Sequence, residues 1–335
     1  MIEVTQVDPW DDVAYDEWFR AYSLTDAERW PEKPGWQRAE LVAFARNTDG
    51  PEYHRCLRAH RGGETVGVAH FHTFRRENPH LARIDVRVLP PHRRQGVGRS
   101  LVAVAQAILR SEGKTELAGM DESPVRPGYV DAAGPFARAL GFAPAQEMMR
   151  RGIRLPFSPD DSARLQSDPR ARPEGYSLLV FHDPWPDDYI EDRCELGRRM
   201  STDVPHEGQQ IDEEVWDVDR VRGIEGLLAA QNRARLTTAA RDDATGRLVG
   251  FTEIAVPLDA PSGSWQHDTL VMREHRGKGL GFAMKVANLL ALQDAHPDVR
   301  TVSTWNAREN AHMIAVNEQI GFEVEATSVY WLQQL

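Results

Sequence analysis

Two stretches of this 335-residue chain hold the residue types that grip an anion. Arg93-Arg94-Gln95-Gly96-Val97-Gly98, continued by Arg99 and Ser100, and Arg276-Gly277-Lys278-Gly279-Leu280-Gly281 both read R-x-x-G-x-G. Small residues at a strand-to-helix turn let backbone N–H groups converge on a diphosphate at the positive end of the helix. An aspartate stands eight residues before each motif arginine, Asp85 and Asp268. At the start of the strand that feeds the turn, either is a candidate general base, the plainer alternative being an exposed strand-end carboxylate. His267 adjoins Asp268, and Glu253 falls on the expected neighbouring strand. His70 and His72 share a strand face, with His54, His60 and His80 not far in sequence. No cysteine or carboxylate spacing completes a ligand set there, and no metal site is expected.

These residues need elements to position them. Thr269 to Met272 reads as a strand, and Phe282 to Leu292 carries apolar residues at helical spacing. Ile84 to Val88 and Leu101 to Leu109, the latter ended by Gly113, repeat that order. Gly98 and Gly281 lie 183 residues apart, and one local order repeated at one large offset predicts two copies of a domain. Each turn follows a hairpin pattern: Arg55 to Arg61 with Thr65 to Phe74, and Leu236 to Ala240 with Leu248 to Val256. Val302 to Trp305 is a clear further strand in the second half, whereas its counterpart, sought between Met120 and Gly134, is poorly written. Asp187 to Arg199 and Glu213 to Asn232 read as helices, and Ser201 to Pro205 as a polar loop between them. Residues 154–175 hold four prolines without periodicity and read as a linker. Lys114 is no P-loop lysine, because Ile108 stands where that motif needs glycine, and Leu101 removes the third glycine of a dinucleotide fingerprint.

A short strand, R-x-x-G-x-G, a helix and a downstream Gly-Phe, here Gly141-Phe142 and Gly321-Phe322, resemble the GNAT superfamily of N-acetyltransferases in both halves. The resemblance implies a tandem protein of α/β (α+β) class, with two GNAT domains, each a mixed central sheet flanked by helices. Residues 1–153 and 176–335 are the expected domains. It also implies acetyl-CoA, or another acyl-CoA, as cofactor. In the first domain Arg87, Val88 and the turn from Arg93 to Ser100 would hold it. In the second, Leu270, Val271, the turn from Arg276 to Gly281, Asn306 and Asn310 would do so, unless the asparagines only cap a helix. The implied reaction is direct attack of a small-molecule amine on the thioester in a ternary complex, with Asp268, His267, Glu253 and Asn317 as the catalytic set. Strand amides near Leu270 and Val271 would polarise the thioester carbonyl. Many GNAT enzymes carry a tyrosine four residues before the glycine of Gly-Phe; here Asn317 and Ala137 stand there. Asn317 would hydrogen-bond the sulfur in its place. The second domain is therefore expected to be catalytic and the first mainly structural. A noncatalytic acyl-CoA-binding regulator is the alternative class, and a mycothiol-synthase-like or antibiotic-modifying enzyme a narrower one.

Composition bounds these readings. With 41% hydrophobic and 27% charged residues the chain reads as ordinary globular protein, long enough for two cores. A net charge of −11 disfavours nucleic acid or a membrane surface as partner. The acidic start MIEVTQVDPWDD shows no apolar leader, and Cys56 and Cys194 fall in different halves, so a cytoplasmic protein with free thiols is expected, as monomer or homodimer. Asp203, Asp212, Glu213 and Glu214 would suit a cationic acceptor if they faced the cleft, but they read first as a solvated acidic surface.

Overall fold

The chain opens with strand β1 (Glu3–Val7), and Asp11 then starts helix α1 (Asp12–Arg29), its carboxylate accepting from the Ala14 amide at 3.1 Å. Helix α2 (Arg38–Arg46) begins with a capping box, in which Glu40 accepts from the Gln37 amide at 2.6 Å. Strands β2 (Glu52–Arg61), β3 (Glu64–Phe74) and β4 (Leu81–Val88) form an antiparallel meander, with β1 on the outer edge of β2. Gly96, at φ 87°, turns the chain into helix α3 (Val97–Ser111). Strand β5 (Glu116–Met120) returns parallel to β4 and is followed by the two-residue β6 (Ser123–Pro124), helix α4 (Ala133–Ala139) and strand β7 (Ala143–Arg154). One face of this sheet buries Leu57, Phe71, Leu101, Leu109 and Leu117 completely against α3; the other packs Tyr15 and Trp18 of α1.

The second copy repeats this order. It contains α5 (Pro159–Ser167), β8 (Tyr176–His182), α6 (Ile190–Asp203) and α7 (Val218–Ala230). There follow β9 (Arg233–Asp242), β10 (Leu248–Pro257), β11 (Gly263–Val271), α8 (Leu280–Ala295), β12 (Thr301–Ala307), α9 (Ala311–Ile320) and β13 (Glu323–Gln334). Strands β8 to β11 are an antiparallel meander, and β12 is parallel to β11. Helix α8 buries Phe282, Val286, Leu289 and Leu292 against it. The computed structural model describes residues 1–203 and 211–335; Val204 and Pro205, the end of the expected polar loop, lie outside them. No helix of the described residues is long and apolar enough to cross a membrane.

Three expectations need correcting. The compact units do not divide the chain in two consecutive pieces: Met1–Met148 and Ala326–Leu335 form one, and 149–203 with Asp212–Glu325 the other. The chain's last strand pairs antiparallel with β5, Tyr330 opposite Met120, and the Trp331 indole donates to Asp121 at 2.8 Å, because β5 leaves an open edge that this segment fills. Residues 154–175 are not free linker. Ser158 caps α5, whose Leu165 is wholly buried among Phe282, Val286 and Leu289. The missing strand of the first copy lies earlier than expected, at Glu116–Met120, directly after the turn at Gly113, where its five residues were too few to show alternation.

Candidate functional site

Both Gly-rich turns are built the same way. The strand ends, one 3-10 turn follows, and the motif arginine folds back onto the carbonyl five residues earlier: Arg93 Nε donates to Val88 O at 3.0 Å, Arg276 Nε to Val271 O at 2.9 Å. The guanidinium ends are taken by Glu28 (2.9 Å) and Asp203 (2.6 Å), so these arginines brace the turn. Left-handed backbone then alternates at Arg94 (φ 61°) and Gly96 in the first copy, and at Gly277 (79°) and Gly279 (78°) in the second. Such alternation turns successive N–H groups toward one point, an anion nest at the start of a helix.

Beside each nest the sheet opens. Among the described residues β4 pairs with β5 only from Leu81 to Ile84, and β11 with β12 only from Gly263 to Trp265. Asp85–Val88 and the stretch from Gln266 to Val271 therefore keep one backbone edge free, where an extended amide-bearing chain can add its hydrogen bonds.

In the first unit the opening continues into a cavity of about 940 Å³ lined by residues 86–88, 92–94 and 96–99, with Arg126, Tyr129 and Phe136 opposite. The turn residues named from sequence thus lie together, except Gln95 and Ser100. Gln95 donates to Pro91 O at 2.9 Å, and Ser100 Oγ to Gly96 O at 3.2 Å. Asp85 is occupied. It accepts from Tyr22 Oη at 3.1 Å and from Arg87 at 2.9 Å, and Arg87, stacked on Tyr22, also pairs with Asp26. Burial would raise the Asp85 pKa, but Arg87 outweighs it and holds the carboxyl below its ordinary value.

The second unit treats the equivalent aspartate differently. The β10–β11 register slips between Thr252 and Ile254, so His267 and Asp268 form a bulge opposite Glu253. The Gln266 amide fills the broken ladder, donating to Glu253 O at 2.7 Å and Thr252 Oγ1 at 2.9 Å. No bulge interrupts β3–β4. Bulges re-aim side chains and concentrate at active sites. Asp268 is half-buried, and desolvation together with the Glu253 charge pushes its pKa up to about 6, against the opposing pull of Arg193. Glu253 itself is buried. It accepts from the Trp185 indole at 3.2 Å and faces Arg235 at 3.4 Å and Arg193 at 3.7 Å; burial would raise its pKa, but the two guanidiniums win and keep it ionised. It is their counter-ion rather than a free base. Desolvation and then the Arg233 cation lower the pKa of His267.

The asparagines divide. Asn310 caps α9, accepting from the Met313 amide at 3.3 Å. Asn317, fully buried, donates to Asn306 Oδ1 at 2.7 Å, and its own Oδ1 is a buried acceptor without a partner. The second hydrogen of its amide nitrogen is not used in that bond. Leu280 is core, Lys278 donates to Tyr176 Oη at 2.7 Å, and a side chain at Gly281 would meet no atom within 4 Å. Arg170, from the segment read as linker, lies over Phe282 with its stem against Gly279.

A family model described as acetyltransferase (GNAT) family matches residues 13–142. A tandem GNAT protein from the clavulanic acid biosynthesis pathway superposes with TM-score 0.81 at 28% identity, covering 100% of this chain and 98% of that one. Residues 13–142 carry the GNAT family match, and over its whole length the chain is similar to a tandem GNAT protein. It is also 24% identical over 321 residues, 88% of each chain, to the mycothiol acetyltransferase of Corynebacterium urealyticum. A GCN5-related N-acetyltransferase from Sphaerobacter thermophilus shares the fold, at TM-score 0.68 and 15% identity over 99% of this chain and 95% of that one. The architecture is accordingly two GNAT domains of mixed α/β class. Sequence reasoning missed Arg193, buried on α6 between Trp185, Trp216 and Phe251. Its Nε and Nη1 make no hydrogen bond. An arginine within an apolar helix face was the one available signal. Of the four acids that would suit a cationic acceptor, three pair with arginines: Asp203 with Arg273 and Arg276, Glu213 with Arg198, Glu214 with Arg220.

Proposed function

We propose that this protein moves an acetyl group from acetyl-CoA to a small-molecule amine, and that the reaction belongs to the second unit. The observation that carries the reading is Asp268: a half-buried carboxyl with a pKa near 6, set on a β-bulge at the mouth of the opening between β11 and β12. An acceptor ammonium must lose its proton before it can attack a thioester, and a base with a pKa near the working pH serves that step. The attack is direct. The amine nitrogen bonds to the acyl carbon, the carbon–sulfur bond breaks, and CoA leaves as thiolate. The free edge of β11 at Leu270 and Val271 would align the pantetheine arm, and the nest at Arg276–Gly281 would hold the diphosphate. Arg193, paired with Glu253, also acts electrostatically on Asp268 and so limits how far its pKa rises.

The first unit would bind a second acyl-CoA in its cavity without turning it over, since Asp85 is neutralised by Arg87 and Tyr22. A noncatalytic reading of the whole chain keeps one point in its favour, that no tyrosine stands at Asn317 or Ala137. Steady-state thiol release over a panel of amines, compared among the native protein, Asp268→Asn and Asp85→Asn, decides between them. The expected result is a loss of roughly 10²-fold or more for Asp268→Asn and little change for Asp85→Asn. Thiol release that depends on no amine, or that survives in Asp268→Asn and vanishes in Asp85→Asn, overturns the proposal.

A further inference from the structure

We propose that Glu52, His54 and His72 form a binding site for one divalent transition cation of the zinc class, on the sheet face of the first unit. His54 and His72 are directly opposite in the antiparallel pairing of β2 with β3, and Glu52 stands two residues before His54 on the same face. Glu52 Oε2 is 2.9 Å from His54 Nε2 and 4.0 Å from His72 Nε2, and the three donor atoms all lie within 4.8 Å of one another. Ligands held about 2.0–2.2 Å from a tetrahedral ion are roughly 3.3–3.6 Å apart, so small side-chain rotations close this set around a cation. Two imidazoles and a carboxylate with a fourth position open is a donor set zinc accepts.

The surroundings support ligation. His54 Nδ1 is 3.0 Å from His70 Nε2, the outer contact that fixes a ligating imidazole and its tautomer. For His54 Nε2 to turn its lone pair to the cation, it releases its proton to solvent, His54 Nδ1 takes the proton it shares with His70 Nε2, and His70 takes one from solvent on Nδ1. Each ring ends with one proton, and the net exchange with solvent is zero. Phe44 stacks on His54 at 4.7 Å and Phe74 meets His72 edge-on at 5.4 Å, so the rings are held by packing as well. The charges facing the site are Glu52 and Arg83, whose cation acts on both Glu52 and His72.

The competing arrangement is a purely hydrogen-bonded chain, Glu52 to His54 to His70, that needs no cation. Titration of chelator-treated full-length protein with Co²⁺, followed by visible absorption, and with Zn²⁺, followed by calorimetry, separates the two. One equivalent should bind, with the intense bands of a low-coordinate cobalt site. Glu52→Gln and His72→Phe should each weaken binding at least 10-fold, while His80→Ala, outside the cluster, leaves it unchanged. His72 and Glu52 are half-buried, so these variants keep the core intact, and unchanged melting in chelator confirms that. Binding weaker than millimolar in the native protein, or affinity undiminished in the double variant Glu52→Gln/His72→Phe, overturns the site and leaves the hydrogen-bonded chain.

Discussion

Asp85 and Asp268 hold the same place in the sequence pattern, and the side chains around them separate their chemistry. Asp85 has a guanidinium and a phenol within 3.1 Å, whereas Asp268 has the Glu253 charge and desolvation pushing its pKa from 3.8 to about 6. The rate should therefore rise with pH through an apparent pKa near 6, as the base loses its proton, and Asp268→Asn should flatten that limb. Stability runs the other way. Because the folded pKa lies above the unfolded one, the contribution of Asp268 is fully present below pH 4 and lost as pH rises through 6. Asp268→Asn, always neutral, should melt higher than the native protein at pH 8, the gap closing toward pH 4; equal melting at both pH values would contradict the shift. Lys285 of α8 is a second case. It is 1% exposed, the Phe322 ring lies 5.3 Å from its ammonium, and desolvation lowers its pKa to about 7. Between pH 7 and 10.5 the unfolded chain binds the extra proton, so native stability rises with pH over that window. Lys285→Met should stabilise the protein, and by more at pH 6 than at pH 10, as denaturant titrations at the two pH values would show.

At the scale of elements, the turns were legible because their geometry restricts residue type. Left-handed backbone at Gly96, Gly277 and Gly279 asks for glycine, and that demand is written locally. The bulge at His267–Asp268 and the Arg193 cluster were not legible, since both depend on register and on helix placement across the sheet, which no local spacing encodes. The two remaining motif glycines behave differently. A Cβ at Gly98 would come within 2.8 Å of the Phe136 ring, whereas one at Gly281 would enter open space. Gly281→Val should consequently leave the fold intact and remove one equivalent of acyl-CoA by filling the approach to the nest. Gly98→Val should remove the other equivalent while also displacing Phe136 and lowering the melting temperature. Native mass spectrometry with acetyl-CoA gives the count: two for the native protein, one for each variant, none for the pair. Two equivalents retained by the double variant would show that the nests hold no diphosphate.

The whole molecule is organised by an exchange that the sequence pattern hides. Two copies in order suggest cutting the chain near residues 153 and 176, yet a strand chooses its partner by which sheet edge is open, and the edge of β5 is filled by residues 330–334. Trp331 is 3% exposed in the core of the first unit, beside Leu117 and Phe142, and its indole satisfies Asp121 at 2.8 Å. Trp331→Ala should cost about 3–5 kcal/mol, the range for a buried aromatic truncation, and the cost should fall on the first unit although the residue ends the second copy. The acyl-CoA equivalent removed by Gly98→Val should therefore be lost in Trp331→Ala, with the equivalent removed by Gly281→Val retained. A fragment of residues 1–153 should likewise fail to fold alone, for it leaves β5 unpaired and Asp121 without its indole donor. Cooperative melting and acyl-CoA binding by that fragment would show that the final strand is dispensable to the first unit, and that the two copies are independent after all.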